Sequence, residues 1–309
     1  MGIVVIGTAF MDIKGFPYEK YFPTGRNAGR VEFVHGGVGR NVAEDIANVE
    51  LRPTFVGLVD DDVQGDAIIA KLEKHKVNTD YIMRVPDGLG MWLAVFDNNG
   101  DLAGSISKRP DSTALIEMLD DKGDEIFSGC DSIVIEIDMD KEIVKRVLDY
   151  AEKYDKKVYA LISNMSIAMQ RRDFLQRTDC FICNDGEAGL LFADSFYSLD
   201  IEALQAKLFD CITKANIKSM IVTLGANGAV FAEADGTTGY VPAEKVKVVD
   251  TTGAGDCFCA GVSIGLTYGK TMIESIQIGT RLAASVLTIS ESVCARFLPK
   301  EFGLNIDPE

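Results

Sequence analysis

The segment DTTGAGD at residues 250–256 combines two glycines with a carboxylate. The apolar run 246–249 before it predicts a strand, and residues 257–267 after it predict a helix. A helix start presents free backbone N–H groups, and small residues let an anion approach them. A carboxylate beside such a site repels the anion unless it has a task, such as taking a proton from an attacking hydroxyl. The segment therefore predicts phosphoryl transfer to an alcohol, with a tight strand-to-helix connection as the purely structural alternative.

A second glycine-rich segment, HGGVGRNVAE, occupies residues 35–44 and opens a predicted helix. Its glycines permit a ligand to approach the backbone, and Asn41 can both donate and accept hydrogen bonds. A dinucleotide fingerprint would place the glycines directly after the first strand. Here a long stretch separates Thr8 from Gly36, which argues against an oxidoreductase.

Composition narrows the class of protein further. The chain has 309 residues, 47% of them hydrophobic, and 31 Lys and Arg against 47 Asp and Glu, a net charge of -16. This charge repels nucleic acid, and no apolar run is long enough to cross a membrane. The chain begins directly with a predicted strand and its seven cysteines are scattered, so we expect a cytoplasmic protein without a disulfide framework.

Apolar runs alternate with amphipathic segments, the pattern of a mainly parallel α/β sheet covered by helices on both faces. Strands are predicted at residues 3–7, 54–59, 132–137, 157–162, 181–184 and 220–224, and helices at 41–49, 64–75, 141–153, 201–215, 257–267 and 272–287. Residues 10–33 and 88–106 break the alternation and predict a small accessory sheet, with an Asn-Asn-Gly turn at 98–100. We expect one α/β domain over 1–309, with segments of about 10–35 and 88–111 inserted in it.

Both glycine segments resemble the signatures of the ribokinase-like (PfkB) family of small-molecule kinases, and the resemblance extends over essentially the whole chain. It implies a ribokinase-like fold whose small sheet is a lid over the acceptor site and sometimes a dimer contact. It also implies ATP and Mg²⁺ as cofactors, and it allows a monovalent cation such as K⁺. In the family the backbone matching Gly253, Ala254, Gly255 and Asp256 lines the anion hole, and the final Asp is the catalytic base.

The same resemblance implies roles for further residues. For the acceptor these are Asp12, which would hold two sugar hydroxyls, and Gly36, Gly37 and Asn41, which would contact the sugar. For the nucleotide they are Asn184 of an N-x-x-E motif and Thr223, Gly225 and Gly228 of VTLGANGAV at 222–230, while Glu187 would organise the water shell of the metal. Glu136 and Asp138 share one face at the carboxyl end of a strand, where ligands collect in α/β sheets, although a loop-edge position explains them equally well.

The acceptor is less narrowly specified. Residues 29–44 look most like the pseudouridine kinases, which favours transfer from ATP to the primary hydroxyl of pseudouridine. Phe10 and the segment 161–166 depart from that pattern. A free-sugar kinase for ribose or fructose and a non-catalytic ligand-binding homologue remain alternatives.

Overall fold

The computed structural model describes residues 2–197 and 199–306. Its large sheet has nine strands in the order β13-β12-β11-β10-β9-β8-β1-β4-β5. The seven strands that run parallel are β1 (Val4–Ile6), β4 (Thr54–Val59), β5 (Asn78–Arg84), β8 (Ser132–Glu136), β9 (Lys157–Leu161), β10 (Cys180–Asn184) and β11 (Ser219–Thr223). The antiparallel strands β12 (Ala229–Glu233) and β13 (Thr238–Val241) complete one edge.

Helices cover both faces of this sheet and enclose two apolar cores. On one face lie α3 (Thr113–Ser128), α4 (Lys141–Lys153), α5 (Met165–Ala168), α6 (Arg172–Leu175), α7 (Asp185–Phe192) and α8 (Ile201–Ala215). On the other lie α1 (Val38–Asn48), α2 (Val63–Lys74), α9 (Ala254–Thr267) and α10 (Met272–Val286). Except for the edge strand β5, the parallel strands are mostly buried on both faces, which explains why they appear in the sequence as continuous apolar runs. None of the helices in the described part of the chain combines the length and apolarity needed to cross a bilayer.

The predicted α/β class is confirmed, but the prediction of a strand at residues 246–249 is wrong. Val248 and Val249 are exposed and have no strand conformation. A strand needs a neighbour for its backbone polar groups, and the sheet ends at β13 on this side. The Val249 N–H instead donates to the carbonyl of Leu287, 2.7 Å away. The sequence patterns also missed α3, β5 and β13.

The predicted small sheet is present, with the order β3-β2-β6-β7. Its strands are β2 (Phe10–Pro17), β3 (Gly29–Gly36), β6 (Gly90–Phe96) and β7 (Leu102–Lys108). Side chains alternate between the two faces of a strand, so Asp12 and Ile13 point to opposite sides. Gly36, at the end of β3, pairs with Phe10 and lies next to the start of α1.

Candidate active site

The start of α9 leaves space for an anion. Gly253 precedes the helix with φ +79°, and a Cβ there would lie 2.0 Å from the carbonyl oxygen of Ser292, so only glycine fits. No side chain among residues 2–197 and 199–306 caps this helix start. Gly255 is exposed, and a Cβ placed on it would meet nothing within 4 Å. The Ala254 N–H donates to the Thr251 carbonyl at 3.3 Å, whereas the backbone at Gly255 faces open space, as an anion hole requires.

Asp256 lies in that turn and contacts α1. The amide Nδ2 of Asn41 donates to Oδ2 of Asp256 at 2.7 Å. Burial raises the pKa of Asp256 to about 7, while the bond from Asn41 and the charge of Arg40 lower it and Asp12 raises it. A carboxylate with this pKa is suited to accept a proton near neutral pH.

Asp12 lies directly over Gly36. A Cβ on Gly36 would be 2.6 Å from the nearer Asp12 oxygen, so the carboxylate occupies the space that any other residue would fill. Gly37 has φ +97°, and a Cβ there would lie 2.4 Å from the carbonyl oxygen of Thr8. Burial raises the pKa of Asp12, against the charges of Lys14 and Arg40. The two glycines thus bring the end of β3 against the residues that follow β1.

Glu136 is buried and bound to its own protein. Its Oε1 accepts from the backbone N–H of Thr8 at 2.7 Å and of Gly39 at 2.6 Å, and both carboxylate oxygens accept from the Thr8 hydroxyl. Burial and the neighbouring Asp138 raise the pKa of Glu136, while the bonds from Thr8 and Gly39 lower it. Glu136 therefore joins β8 to the start of α1, and its predicted contact with the acceptor remains a prediction.

The residues predicted for the nucleotide lie at the carboxyl ends of β10 and β11. Asn184 and Thr223 are register partners there. Asn184 and Glu187 form a capping box at the start of α7, in which each side chain accepts from the backbone N–H of the other. Burial raises the pKa of Glu187. This cap uses only one oxygen of the Glu187 carboxylate, because Oε2 alone accepts from the Asn184 N–H.

The glycines between β11 and β12 differ from each other. Gly225, with φ +56°, is exposed, and a Cβ there would meet nothing within 4 Å. Gly228, with φ +94°, would place a Cβ 2.1 Å from the carbonyl oxygen of Val241. Gly225 is thus free to contact a ligand, while Gly228 is required by the packing of the turn.

A cavity of about 230 Å³ adjoins the residues that lead into β2. Phe10 forms part of its wall and pairs with Gly36 in the small sheet. Its polar wall contains Asp138, which accepts from Arg109 Nη2 at 2.8 Å and from the Ser163 hydroxyl at 2.7 Å. Arg171 also lines the cavity and donates to the carbonyl of Met139. Arg109, Ser163 and Arg171 were not predicted, because each lies in a segment without a motif.

Comparison with known proteins identifies the family of this chain. The model of the family described as pfkB family carbohydrate kinase matches residues 2–299. The chain belongs to the pfkB family. It is 33% identical over 292 residues to the guanosine-inosine kinase of Exiguobacterium acetylicum, covering 94% of this chain and 95% of that protein. It is 25% identical over 290 residues to the pseudouridine kinase of Escherichia coli K12, covering 93% and 90%.

Solved structures show the same fold. The structure of Arabidopsis thaliana ribokinase complexed with ribose and ATP superimposes with a TM-score of 0.85, at 22% identity and with 96% of each chain covered. The predictions of a ribokinase-like fold and of a phosphotransferase are thereby confirmed.

Proposed function

We propose that this pfkB kinase transfers the γ-phosphoryl group of ATP to the primary 5′ hydroxyl of a ribonucleoside. The observation that carries the proposal is the Asn41–Asp256 hydrogen bond beside the uncapped start of α9. It puts a proton acceptor next to an anion-binding turn, which is the minimum that transfer to a hydroxyl requires.

Each group then has a defined task. Asp256 accepts the proton of the hydroxyl, and the amides of Gly253, Ala254 and Gly255 stabilise negative charge that develops on the phosphoryl oxygens. Asp12 accepts no hydrogen bond from residues 2–197 and 199–306, so its oxygens are free for two sugar hydroxyls.

The nucleotide side fits ATP with Mg²⁺. Exposed backbone at Gly225 and the side chains of Asn184 and Thr223 lie together, and Glu187 keeps a carboxylate oxygen outside its capping box. Mg²⁺ retains much of its water shell in proteins, so Glu187 would hold it through water, and the ion would neutralise phosphate charge. A monovalent cation such as K⁺ stays a prediction from the family resemblance.

The cavity beside Phe10 favours a nucleoside over a free sugar. Phe10, at the start of the strand that carries Asp12, lines this cavity, so a base attached to a sugar held by Asp12 could enter it. The guanidinium groups of Arg109 and Arg171 line the cavity and offer donors for carbonyl oxygen and ring nitrogen, whereas the Asp138 carboxylate is buried and already accepts from Arg109 and Ser163. Guanine and hypoxanthine carry such groups, which agrees with the 33% identity to a guanosine-inosine kinase.

Substrate preference is measured by ATP consumption with guanosine, inosine, adenosine, pseudouridine, uridine, ribose and fructose, with product identified by mass spectrometry. We expect kcat/KM to be highest for guanosine or inosine, with a 5′-monophosphate as product. Arg109→Gln should lower the preference for these purines over ribose, because Arg109 lines the cavity and holds Asp138. A higher kcat/KM for ribose or fructose than for every nucleoside would refute the nucleoside proposal and leave the kinase assignment in place.

Pseudouridine is the second candidate acceptor. It is favoured by the resemblance of residues 29–44 to pseudouridine kinases and by the relative of that name in E. coli. Its base also carries carbonyl oxygens for the two arginines. A kcat/KM for pseudouridine above that for guanosine and inosine would select it.

We also propose a homodimer through the small sheet. Phe33, Ile13, Leu93 and Ile106 form one row across its four strands, on the face opposite to Asp12. Phe33 is 64% exposed and Ile106 70%, an apolar surface that favours association. Light scattering should give a dimer for the wild type and a monomer for Phe33→Lys, whereas a monomeric wild type would contradict the proposal.

A further inference from the structure

Arg40 is a fully buried arginine at the start of α1 that the proposed reaction does not use directly. Its Nε donates to the carbonyl of Gly36 at 3.2 Å, and its Nη2 donates to the carbonyl of His35 and to Oδ1 of Asn41. Its Nη1 forms a salt bridge with Glu44, one turn along the helix. One side chain thus connects the end of β3, the acceptor-side amide and the helix.

The bond to Asn41 determines which way that amide faces. An asparagine has an acceptor at one end of its amide and donors at the other. Because Oδ1 is held by Arg40, Nδ2 is the end that meets Asp256, where it donates at 2.7 Å. The reversed amide would set its nitrogen against the Arg40 donors and its oxygen against the Asp256 carboxylate, and both contacts would be repulsive.

We propose that Arg40 is a positioning residue for phosphoryl transfer, which holds Asn41 in the one amide orientation that donates to the catalytic base and holds Gly36 beneath Asp12. This inference rests on the role of Asp256 proposed above. A planar guanidinium can serve all four partners at once, whereas an ammonium group lacks the fork that reaches them.

Arg40 is also the positive charge that faces the acidic side of the cleft. Two charged side chains from the packed elements shift the pKa of Asp256: Arg40 of α1 lowers it and Asp12 of β2 raises it. Asp256 in turn raises the pKa of the buried Asp45 of α1 and of Cys257 and Cys259 in its own helix. Asp12 therefore opposes a charged base, and Arg40 favours it. Removal of Arg40 should therefore make deprotonation of the base harder.

The test uses four variants of the full-length protein. Arg40→Lys keeps the charge and removes the fork. Arg40→Met combined with Glu44→Gln removes the charge without leaving Glu44 as an unpaired buried carboxylate, and Glu44→Gln alone is its reference. Lys71→Gln is the matched control, because Lys71 also pairs with Glu44, at 3.3 Å, but belongs to α2 and contacts neither Asn41 nor Gly36.

The measurements are kcat against pH at saturating acceptor and ATP, and the KM for ATP. Saturating acceptor limits the profile to groups in the bound complex and removes the contribution of Asp12 to binding. We expect Arg40→Met/Glu44→Gln to have about tenfold lower kcat at pH 7 than Glu44→Gln, with the acidic limb displaced upward by about one pH unit. Arg40→Lys should lower kcat without that displacement, and Lys71→Gln should leave kcat and the profile unchanged. A merely structural role for Arg40 would lower thermal stability without moving the acidic limb.

Asp256→Asn separates this inference from the proposed function. If Asp256→Asn keeps normal turnover, the base assignment fails and the role of Arg40 fails with it. If Asp256→Asn is inactive while folded Arg40→Met/Glu44→Gln matches Glu44→Gln in kcat and in pH profile, only the positioning role of Arg40 is overturned.

Discussion

The proposed acceptor side and the proposed nucleotide side of the cleft are constructed differently. On the acceptor side, Asn41 and Asp256 are separated by 215 residues in sequence and joined by one hydrogen bond, with the buried Arg40 behind them. On the nucleotide side, Asn184 is exposed, and its hydrogen bonds to Glu187 lie within a single helical turn.

This difference suggests how the two halves of the reaction are controlled. Long-range contacts fix the position and charge of the proton acceptor before any substrate binds, which lowers the reorganisation required at the moment of transfer. The nucleotide side has a rigid local turn with open backbone around it, which leaves space for a polyphosphate and its metal. Mutations on the acceptor side should thus affect turnover or acceptor binding, and mutations on the nucleotide side should affect cofactor requirements.

The largest expected effect is that of Asp256→Asn. It retains the shape of the side chain but removes the proton acceptor, so kcat should fall by roughly 100-fold or more. Calorimetry should show that the acceptor and ATP still bind. Near-normal turnover in the folded variant would return the segment 250–256 to a purely structural connection.

Asp12→Ala tests whether acceptor binding is separate from the nucleotide side. Loss of a charge-assisted contact to sugar hydroxyls is worth about 1.5 to 3 kcal/mol, which corresponds to roughly 10- to 150-fold in the KM for the acceptor. The KM for ATP should stay the same. An equal loss of ATP affinity with unchanged acceptor KM would place Asp12 outside the acceptor site.

Glu187→Gln is the matching test on the nucleotide side. Loss of a carboxylate that holds Mg²⁺ through water should raise the Mg²⁺ concentration for half-maximal activity by about tenfold. The acceptor KM should stay unchanged. Glutamine can still accept the bond from the Asn184 N–H, so the capping box and the fold should persist. If the Mg²⁺ dependence did not change, Glu187 would be only a helix cap.

The pH dependence of the wild type tests the proposed base on the acceptor side. Burial raises the pKa of Asp256 from its ordinary 3.8 to about 7 in the structure without ligands. Since the base acts only when deprotonated, kcat/KM should fall by about tenfold per pH unit below pH 7. A profile that is flat down to pH 5 would show that the base has an ordinary pKa.

The raised pKa of Asp256 also affects the stability of the fold. The charged form that catalysis requires is the form that destabilises the native state. Because the folded pKa lies above the unfolded one, the native state binds a proton more tightly between about pH 4 and pH 7. Stability from this group is fully present below that window and is lost as the pH rises through it. Asp256→Asn should therefore increase the free energy of unfolding at pH 8 by up to about 4 kcal/mol, at about 1.4 kcal/mol for each pH unit between the unfolded and folded pKa, measured by urea denaturation. A decrease at pH 8 would show that the charged carboxylate stabilises the fold.

Local sequence signals were sufficient to predict much of the fold of this molecule. The buried strands β4, β8 and β9 follow from continuous apolar runs, because both of their faces are covered. The helices α4 and α8 follow from apolar periodicity, because only one face of each is buried. The glycines at 36, 37 and 253 follow from their motifs, and the structure supplies the reason: carbonyl or carboxylate oxygens occupy the position of a Cβ.

Other features depend on contacts that no local pattern records. Residues 246–249 have the apolar character of a strand but no strand beside them. Arg109 and Ser163 contact Asp138 only because the fold brings together residues that are 29 and 25 positions apart. Glu136 is predicted to contact a ligand from its position, and only the fold shows that its carboxylate also closes the junction between β1 and α1.

The sequence by itself determined the α/β class, the two glycine motifs and the identity of the candidate base. Tertiary structure alone decided that Arg40 donates to Oδ1 of Asn41, that burial raises the pKa of Asp256 to about 7 and that a cavity lies beside Phe10. The physical reason is that hydrophobic periodicity and turn chemistry act over a few residues, whereas desolvation and the pairing of buried polar groups depend on segments that meet only in the folded chain.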